Sequence, residues 1–242
     1  MSITWPIIGQ RNSAAFMNGS LACVLFDLDG TLLDTAPDMA KALNRLRLEH
    51  EQPVLPFGVI RPLVSHGSTG LLRLGFGLEP DEPGFDALRK RFLALYSADL
   101  ASDTRLFPGM MGVLDVLEAE NIPWGIVTNK PGWLTVPLLK RLSLYSRCAC
   151  LVSGDTIPQR KPHPAPLLHA CRSIGIDPDQ CVYIGDAERD IEAGRRAGMT
   201  TLIARYGYLN TTEQPENWGA DRILDSPHDL CAWLLEILRA DA

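Results

Sequence analysis

Two aspartates separated by a single residue, Asp27 and Asp29, directly follow an apolar run that ends at Phe26. Side chains at positions i and i+2 of an extended stretch point the same way, so the two carboxylates can act on one bound group. One can serve as a nucleophile while the other transfers protons. Gly30 allows the tight turn that follows, and an Asx-rich turn that merely ends a strand is the alternative interpretation.

A hydroxyl and a lysine at the ends of two other segments could bind an anion. Thr128 and Asn129 follow the apolar run Trp124–Val127, and the hydroxyl of Thr128 can donate a hydrogen bond to a phosphoryl oxygen. Lys161 begins a proline-bounded segment, which would hold its ammonium group in place against a phosphate. The alternatives are an ordinary turn and a solvated loop lysine.

Two further acids, Asp186 and Asp190, flank the predicted start of a helix after Gly185. Carboxylates are good helix caps, and capping alone explains one of the pair. Two acids after a Gly-Asp turn more readily form a site for Mg²⁺, which prefers oxygen ligands.

The elements that must position these residues alternate between two types. Short apolar runs without alternation predict strands buried on both faces: Leu21–Phe26, Trp124–Val127, Cys148–Val152, Val182–Ile184 and Thr201–Ile203. Helix-like segments lie between and after them: Met110–Glu120, Trp133–Leu142, Ala165–Ile174, Glu188–Ala197 and His228–Leu238. This order predicts an α/β fold, a doubly wound parallel-sheet, Rossmann-like core. The candidate residues lie at or just beyond strand ends, where such sheets form their sites.

The interval between the first two predicted strands is too long for one crossover helix. Three helix-like segments occupy it: Asp38–Glu49, Gly70–Leu74 and Phe85–Leu100. We expect a helical cap domain at residues 37–105, inserted into a core of residues 21–36 and 106–242, with residues 1–20 as an N-terminal extension. The candidates for substrate recognition in this cap are Ser65, His66, Ser68 and Arg73, and also Arg61. Solvated polar groups in a glycine-rich connection are the alternative.

The composition is that of a soluble globular protein, with 46% hydrophobic and 21% charged residues. A net charge of -6 argues against nucleic acid and anionic membrane as partners. The six cysteines contain no C-x-x-C pair, which disfavours a zinc ribbon or a redox motif. We expect a cytoplasmic monomer or homodimer that acts on a small molecule.

The four motifs, taken in this order, resemble those of the haloacid dehalogenase superfamily, and the resemblance spans about Leu21 to Leu238. The run from Asp27 to Asp38 is similar to the phosphoglycolate phosphatase branch, as is Arg205–Tyr208. The stretch Pro215–Asp221 is more similar to N-acetylmuramic acid 6-phosphate phosphatases. The resemblance therefore leaves two candidate substrates open, phosphoglycolate and N-acetylmuramic acid 6-phosphate.

The resemblance implies a phosphatase that forms and then hydrolyses an aspartyl-phosphate. By that resemblance Asp27 is the nucleophile, and Asp29 is the acid for the leaving alcohol and then the base for water. Thr128 and Lys161 hold the phosphoryl oxygens, and Asn129 is a further candidate for contacting the substrate.

The resemblance also implies Mg²⁺ as the cofactor. Its ligands would be Asp27, the backbone carbonyl of Asp29 and Asp186, with Asp190 as a supporting acid. A carboxylate that attacks a phosphate dianion meets strong like-charge repulsion, which Mg²⁺ and Lys161 would offset.

The sequence lacks the motifs of several other enzyme classes. The sequence has no C-x5-R, no G-x-S-x-G and no Gly-Lys dipeptide, which disfavours a cysteine phosphatase, a serine hydrolase and a P-loop. A dehalogenase would not need Asp29. A hexose-phosphate mutase shares all four motifs and stays open, and an aspartate-phosphorylated signalling module is the alternative from another class.

Overall fold

The computed structural model of the chain describes residues 21–240, so the predicted extension at residues 1–20 lies outside the described residues. A six-stranded parallel sheet forms its centre, in the order β5-β4-β1-β6-β7-β8. Its strands are β1 Cys23–Phe26, β4 Trp124–Val127, β5 Cys150–Val152, β6 Cys181–Gly185, β7 Thr200–Ala204 and β8 Arg222–Leu224. The predicted fold class is confirmed.

Helices lie between and after these strands along the chain. Their bounds are α1 Ala36–Glu49, α2 Phe57–Ile60, α3 Gly67–Phe76, α4 Phe85–Ala98, α5 Met110–Ala119, α6 Gly132–Arg141, α7 Ala165–Ile174, α8 Glu188–Ala197 and α9 Pro227–Ala240. Alternate residues of the central strand enter two separate apolar clusters: Val24 and Phe26 join one, and Cys23 and Leu25 join the other. Each face of the sheet is therefore covered, which is why its strands lack polar alternation.

The edge strand β8 has no counterpart among the predicted strands. It has three residues, of which Arg222 is exposed and only Leu224 is buried. So short and half-exposed a segment carries too little apolar pattern to be recognised from sequence.

The segment between β1 and β4 begins and ends in a two-stranded antiparallel pair. Strand β2, Leu33–Asp34, pairs with β3, Arg105–Leu106, so the two connections to the helical segment run side by side. Helices α1 to α4 lie between these strands, and α1 packs on α4. Leu43 of α1 and Phe92 of α4 belong to the same apolar cluster. The division into core and cap stays a prediction, which this arrangement supports.

Candidate active site

The candidate side chains follow three neighbouring strands at one edge of the sheet. Asp27 follows β1, Thr128 follows β4 and Asp186 follows β6, and β1 lies between the other two strands. Parallel strands end on the same side, so the loops that carry these residues meet.

Asp27 is buried and directly paired with a cation. Its Oδ1 accepts a hydrogen bond from the Leu28 backbone N–H at 2.7 Å and lies 2.9 Å from Lys161 Nζ. The same ammonium lies 2.7 Å from Asp190 Oδ1. A buried carboxylate is costly unless paired, so Lys161 stabilises two acids at once.

Lys161 is held in place by groups on β4 and β6, the two strands on either side of β1. Its ammonium donates to the Val127 carbonyl at 3.0 Å and to the Tyr183 hydroxyl at 2.7 Å. The side-chain amide of Asn129 donates to the Lys161 carbonyl and accepts from its backbone N–H, both at 3.1 Å. Asn129, expected to contact substrate, thus fixes the lysine backbone. Tyr183 is a positioning group that the motifs did not indicate.

Three buried acids form a cluster at the carboxyl edge. One carboxylate oxygen of each of Asp27, Asp186 and Asp190 lies within 4.8 Å of the others. Burial, together with the charges of the other two acids, raises the pKa of Asp186 to about 7. Burial also raises the pKa of Asp190, against the opposing effect of Lys161. The Lys161 ammonium and the nearby Arg189 guanidinium carry two positive charges against three carboxylates, so a bound cation would stabilise the cluster.

The free oxygen of Asp186 fits a metal ligand. Asp186 Oδ2 accepts hydrogen bonds from the Ser65 hydroxyl at 2.6 Å and from the Tyr208 backbone N–H at 3.0 Å. Its Oδ1 is buried and has no hydrogen-bond partner among residues 21–240. An unpartnered carboxylate oxygen beside two further carboxylates is the all-oxygen donor set that suits Mg²⁺.

Two glycines allow the loops around Asp186 to approach closely. Gly30 has a φ of +85°, and a Cβ there would overlap the Asp186 carboxylate. A Cβ on Gly207 would overlap the Cβ of Asp186 and the carbonyl of Gly30. The turn after Asp29 therefore requires glycine for both its backbone conformation and its space.

Asp29 is paired with a lysine to which the sequence motifs gave no role. Its Oδ1 accepts from the Thr35 hydroxyl at 2.6 Å and from Lys130 Nζ at 2.8 Å. Lys130 also donates to the Tyr96 hydroxyl of α4 at 2.9 Å. Burial would lower the pKa of Lys130, but Asp29 and Tyr96 outweigh it and raise that pKa. The available signal was a lysine directly after the Thr-Asn pair.

Of the candidates in the helical segment, Ser65 reaches the acidic cluster. Its hydroxyl donates to Asp186, and its carbonyl accepts from Arg189 at 2.7 Å. The other polar candidates lie towards solvent or have other partners. His66 is exposed, Ser68 accepts from Arg89 at 3.3 Å, and Arg73 forms an exposed pair with Glu79.

Arg61 ties the helical segment to the loop after β7. It donates to the carbonyls of Gly207 at 2.9 Å and Tyr206 at 3.2 Å, and its guanidinium lies 5.0 Å from the centroid of the Tyr208 ring. The Tyr208 hydroxyl in turn donates to Asp34 at 2.7 Å. This loop thus connects the helical segment, the β2 connection and Asp186.

Comparison with known proteins decides the family. The family described as haloacid dehalogenase-like hydrolase matches residues 24–204. The chain belongs to this family. The resemblance inferred from the motifs is confirmed.

Individual relatives of this hydrolase carry two different substrate names. A phosphoglycolate phosphatase from Xanthomonas campestris is 45% identical over 87% of this chain and 96% of its own length. An N-acetylmuramic acid 6-phosphate phosphatase from Pseudomonas putida is 41% identical over 87% of this chain and 94% of its own. The crystal structure of a predicted phosphoglycolate phosphatase from Haemophilus somnus superposes with a TM-score of 0.77 at 27% identity, over 88% of this chain and 97% of that one.

No helix within residues 21–240 has the length and apolar character needed to cross a membrane.

Proposed function

We propose that this hydrolase is a Mg²⁺-dependent phosphatase that cleaves phosphate monoesters through an aspartyl-phosphate at Asp27. The phosphatase relatives at 41% and 45% identity support the enzyme class. The observation that carries the role of Asp27 is its position: a buried carboxylate at the end of the central strand, 2.9 Å from the Lys161 ammonium and within the acidic cluster.

The reaction takes two steps at phosphorus. A carboxylate oxygen of Asp27 bonds to phosphorus while the bond to the ester oxygen breaks, and Asp29 gives its proton to the departing alcohol. Asp29 then takes a proton from water as the water oxygen bonds to phosphorus. The bond between Asp27 and phosphorus breaks, which releases phosphate and restores both carboxyl groups.

The surrounding residues supply positive charge and hydrogen bonds. The Lys161 ammonium, fixed by Val127 and Tyr183, stabilises the phosphoryl oxygens. The Thr128 hydroxyl donates a hydrogen bond to the same oxygens. Asp27, Asp186 and the Asp29 carbonyl would hold Mg²⁺, which offsets the repulsion between the nucleophile and the phosphate dianion.

Asp190 supports this arrangement from the start of α8. Its Oδ1 pairs with Lys161 at 2.7 Å, and its Oδ2 accepts from the Ala187 backbone N–H at 3.1 Å. Since Oδ1 forms an ion pair with Lys161 and Oδ2 accepts from the backbone, Asp190 would orient the lysine and support the metal site from beside it.

For the substrate we propose a sugar phosphate larger than glycolate. A site dedicated to phosphoglycolate needs a cation for the carboxylate that this substrate carries besides its phosphate. The two arginines considered for that task have other partners: Arg61 donates to backbone carbonyls, and Arg73 pairs with Glu79. Ser65, Gly67 and Ser68 are small, and a Cβ on Gly67 would meet nothing within 4 Å, which supports room for a bulkier group there. Gly70, by contrast, packs closely against His66.

We place the enzyme in the cytoplasm. The cysteines within residues 21–240 are free thiols, and the sulfurs of Cys171 and Cys181 lie at hydrogen-bond distance, 3.6 Å apart, without a disulfide bond. Free thiols are usual in a reducing compartment.

Replacing Asp27 by asparagine tests the proposed nucleophile. The amide is nearly isosteric but a poor nucleophile, so Asp27→Asn lowers turnover of a phosphate ester by about 10⁴-fold. Asp115→Asn, which changes an exposed acid paired with Arg147, is the matched control and keeps full activity. Phosphate release with Mg²⁺ is the measurement, and a variant that retains a tenth or so of the wild-type rate would exclude Asp27 as the nucleophile.

A further inference from the structure

Lys130 lies between the proposed acid–base residue and the helical segment. Its ammonium donates to Asp29 Oδ1 at 2.8 Å and to the Tyr96 hydroxyl at 2.9 Å, and it lies 4.7 Å from the centroid of the Tyr96 ring. Lys130 and Tyr96 are both buried. A buried ammonium group needs such partners, and the pair fixes it in one place.

The two oxygens of Asp29 have different surroundings. Oδ1 accepts from both Thr35 and Lys130, whereas no hydrogen bond among residues 21–240 uses Oδ2. The Asp29 side chain as a whole is 18% exposed. The carboxylate is thus held at one oxygen and left free at the other.

We propose that Lys130 is a positioning residue that fixes Asp29 so that its proton transfers take place at Oδ2, with Tyr96 holding the ammonium in place. The inference rests on the proposed function, because it assumes that Asp29 protonates the leaving group. Proton transfer requires hydrogen-bond distance to the ester oxygen, so a carboxylate that rotates freely would transfer its proton less often.

The proposal gives the helical segment a part in the chemistry of the core. Tyr96 belongs to α4, whereas Lys130 follows β4 and Asp29 follows β1. The location of α4 therefore sets the location of the ammonium, and through it the orientation of Asp29. If the ion pair between Lys130 and Asp29 were merely structural, its loss would lower the turnover of every ester by the same factor.

Esters that differ in leaving group separate these two roles. Benzyl phosphate releases an alcohol that must be protonated, whereas para-nitrophenyl phosphate releases an anion that leaves unaided. The value of kcat/KM covers the steps up to alcohol release. With Lys130→Met we expect kcat/KM to fall about 100-fold for benzyl phosphate and no more than about threefold for the nitrophenyl ester. Lys130→Arg keeps a cation and restores part of the benzyl activity.

A second lysine over an aromatic ring supplies the control. The exposed Lys140 places its ammonium 5.2 Å from the centroid of the Tyr145 ring, and Lys140→Met should change neither ester. Tyr96→Phe keeps the ring and removes the hydrogen bond to Lys130, so it shifts the ratio between the esters in the same direction by about tenfold. That variant carries the test if Lys130→Met does not fold.

Equal losses on both esters, or no loss on either, in folded variants would overturn the proposal. Wild-type turnover of the two esters reports on the proposed function, whereas the change in their ratio reports on Lys130 alone. Failure of the proposed function and failure of the role proposed for Lys130 therefore give different results.

Discussion

At the scale of single residues, Asp186 is a group whose charge should depend on what binds beside it. Its buried carboxylate faces Asp27 and Asp190, and its pKa rises to about 7 from an ordinary value of 3.8. A proton and a cation relieve the same repulsion, so they compete for this side chain.

This competition predicts a pH-dependent stabilisation by Mg²⁺. The unfolded chain loses the Asp186 proton near 3.8 and the folded, metal-free chain near 7, so this group's contribution to stability is lost as pH rises between those values. We expect Mg²⁺ to raise the melting temperature more at about pH 8 than at about pH 5. Thermal unfolding of wild type and Asp186→Asn measures it. An increment that is the same at both pH values, or unchanged in the variant, would contradict the prediction.

Metal removal tests the same cluster through activity. Activity should vanish with EDTA and return with Mg²⁺, because the acids Asp27 and Asp186 then regain a compensating charge. Ca²⁺ should inhibit, since it is larger and takes more ligands than Mg²⁺. Initial rates in chelated and reloaded protein are the measurement. Full turnover in rigorously metal-free buffer would exclude the proposed cofactor.

At the scale of elements, Asp38 joins the start of α1 to the chain returning from the helical segment. Its buried carboxylate accepts from the Asp103 backbone N–H at 2.9 Å, and from the backbone and hydroxyl of Thr104 at 2.9 and 2.7 Å. The paired strands β2 and β3 lie beside this junction. The two connections are thus held together by backbone pairing and by one carboxylate.

Removing that carboxylate should destabilise the fold. Asp38→Ala leaves three donors unpaired, two of them at Thr104, so we expect the free energy of unfolding to fall by about 2–3 kcal/mol. Urea denaturation measures the loss, and Asp81→Ala, at an exposed position in the same helical segment, is the control. Equal stability of the two variants would show that the junction does not depend on Asp38.

At the scale of the whole molecule, the helical segment contacts the sheet edge beside the acidic cluster. Ser65 donates to Asp186 and Arg61 donates to the Gly207 carbonyl, so under the proposed function these contacts would limit the size of the substrate. Relatives in the same family carry two substrate names, and we expect the contacts of the helical segment to decide between those substrates in this chain.

The choice of substrate is therefore a prediction about kcat/KM, since specificity is a difference in transition-state binding. We expect N-acetylmuramic acid 6-phosphate, the substrate in the name of one relative, to be hydrolysed more efficiently than phosphoglycolate. Parallel assays with Mg²⁺ compare the two esters. If phosphoglycolate is turned over about tenfold more efficiently, the proposal of a larger substrate is wrong.

The sequence by itself determined the α/β fold, the family and the residues that face one another at the sheet edge. Each of these depends on local signals: unbroken apolar runs for buried strands, and Asp27, Thr128 and Asp186 directly after such runs. The carboxyl ends of parallel strands lie at the same edge of a sheet, so the order of the motifs was enough to predict that these residues lie together.

Only the tertiary structure decided which partners each side chain has. Tyr96 and Lys130 are 34 residues apart, and Ser65 and Asp186 are 121 apart, so no local pattern links them. The pairing of Arg73 with Glu79 on the surface likewise depends on how a helix and its loop are packed. Hydrogen bonds depend on distance and angle in three dimensions, and a linear spacing specifies neither across separate elements.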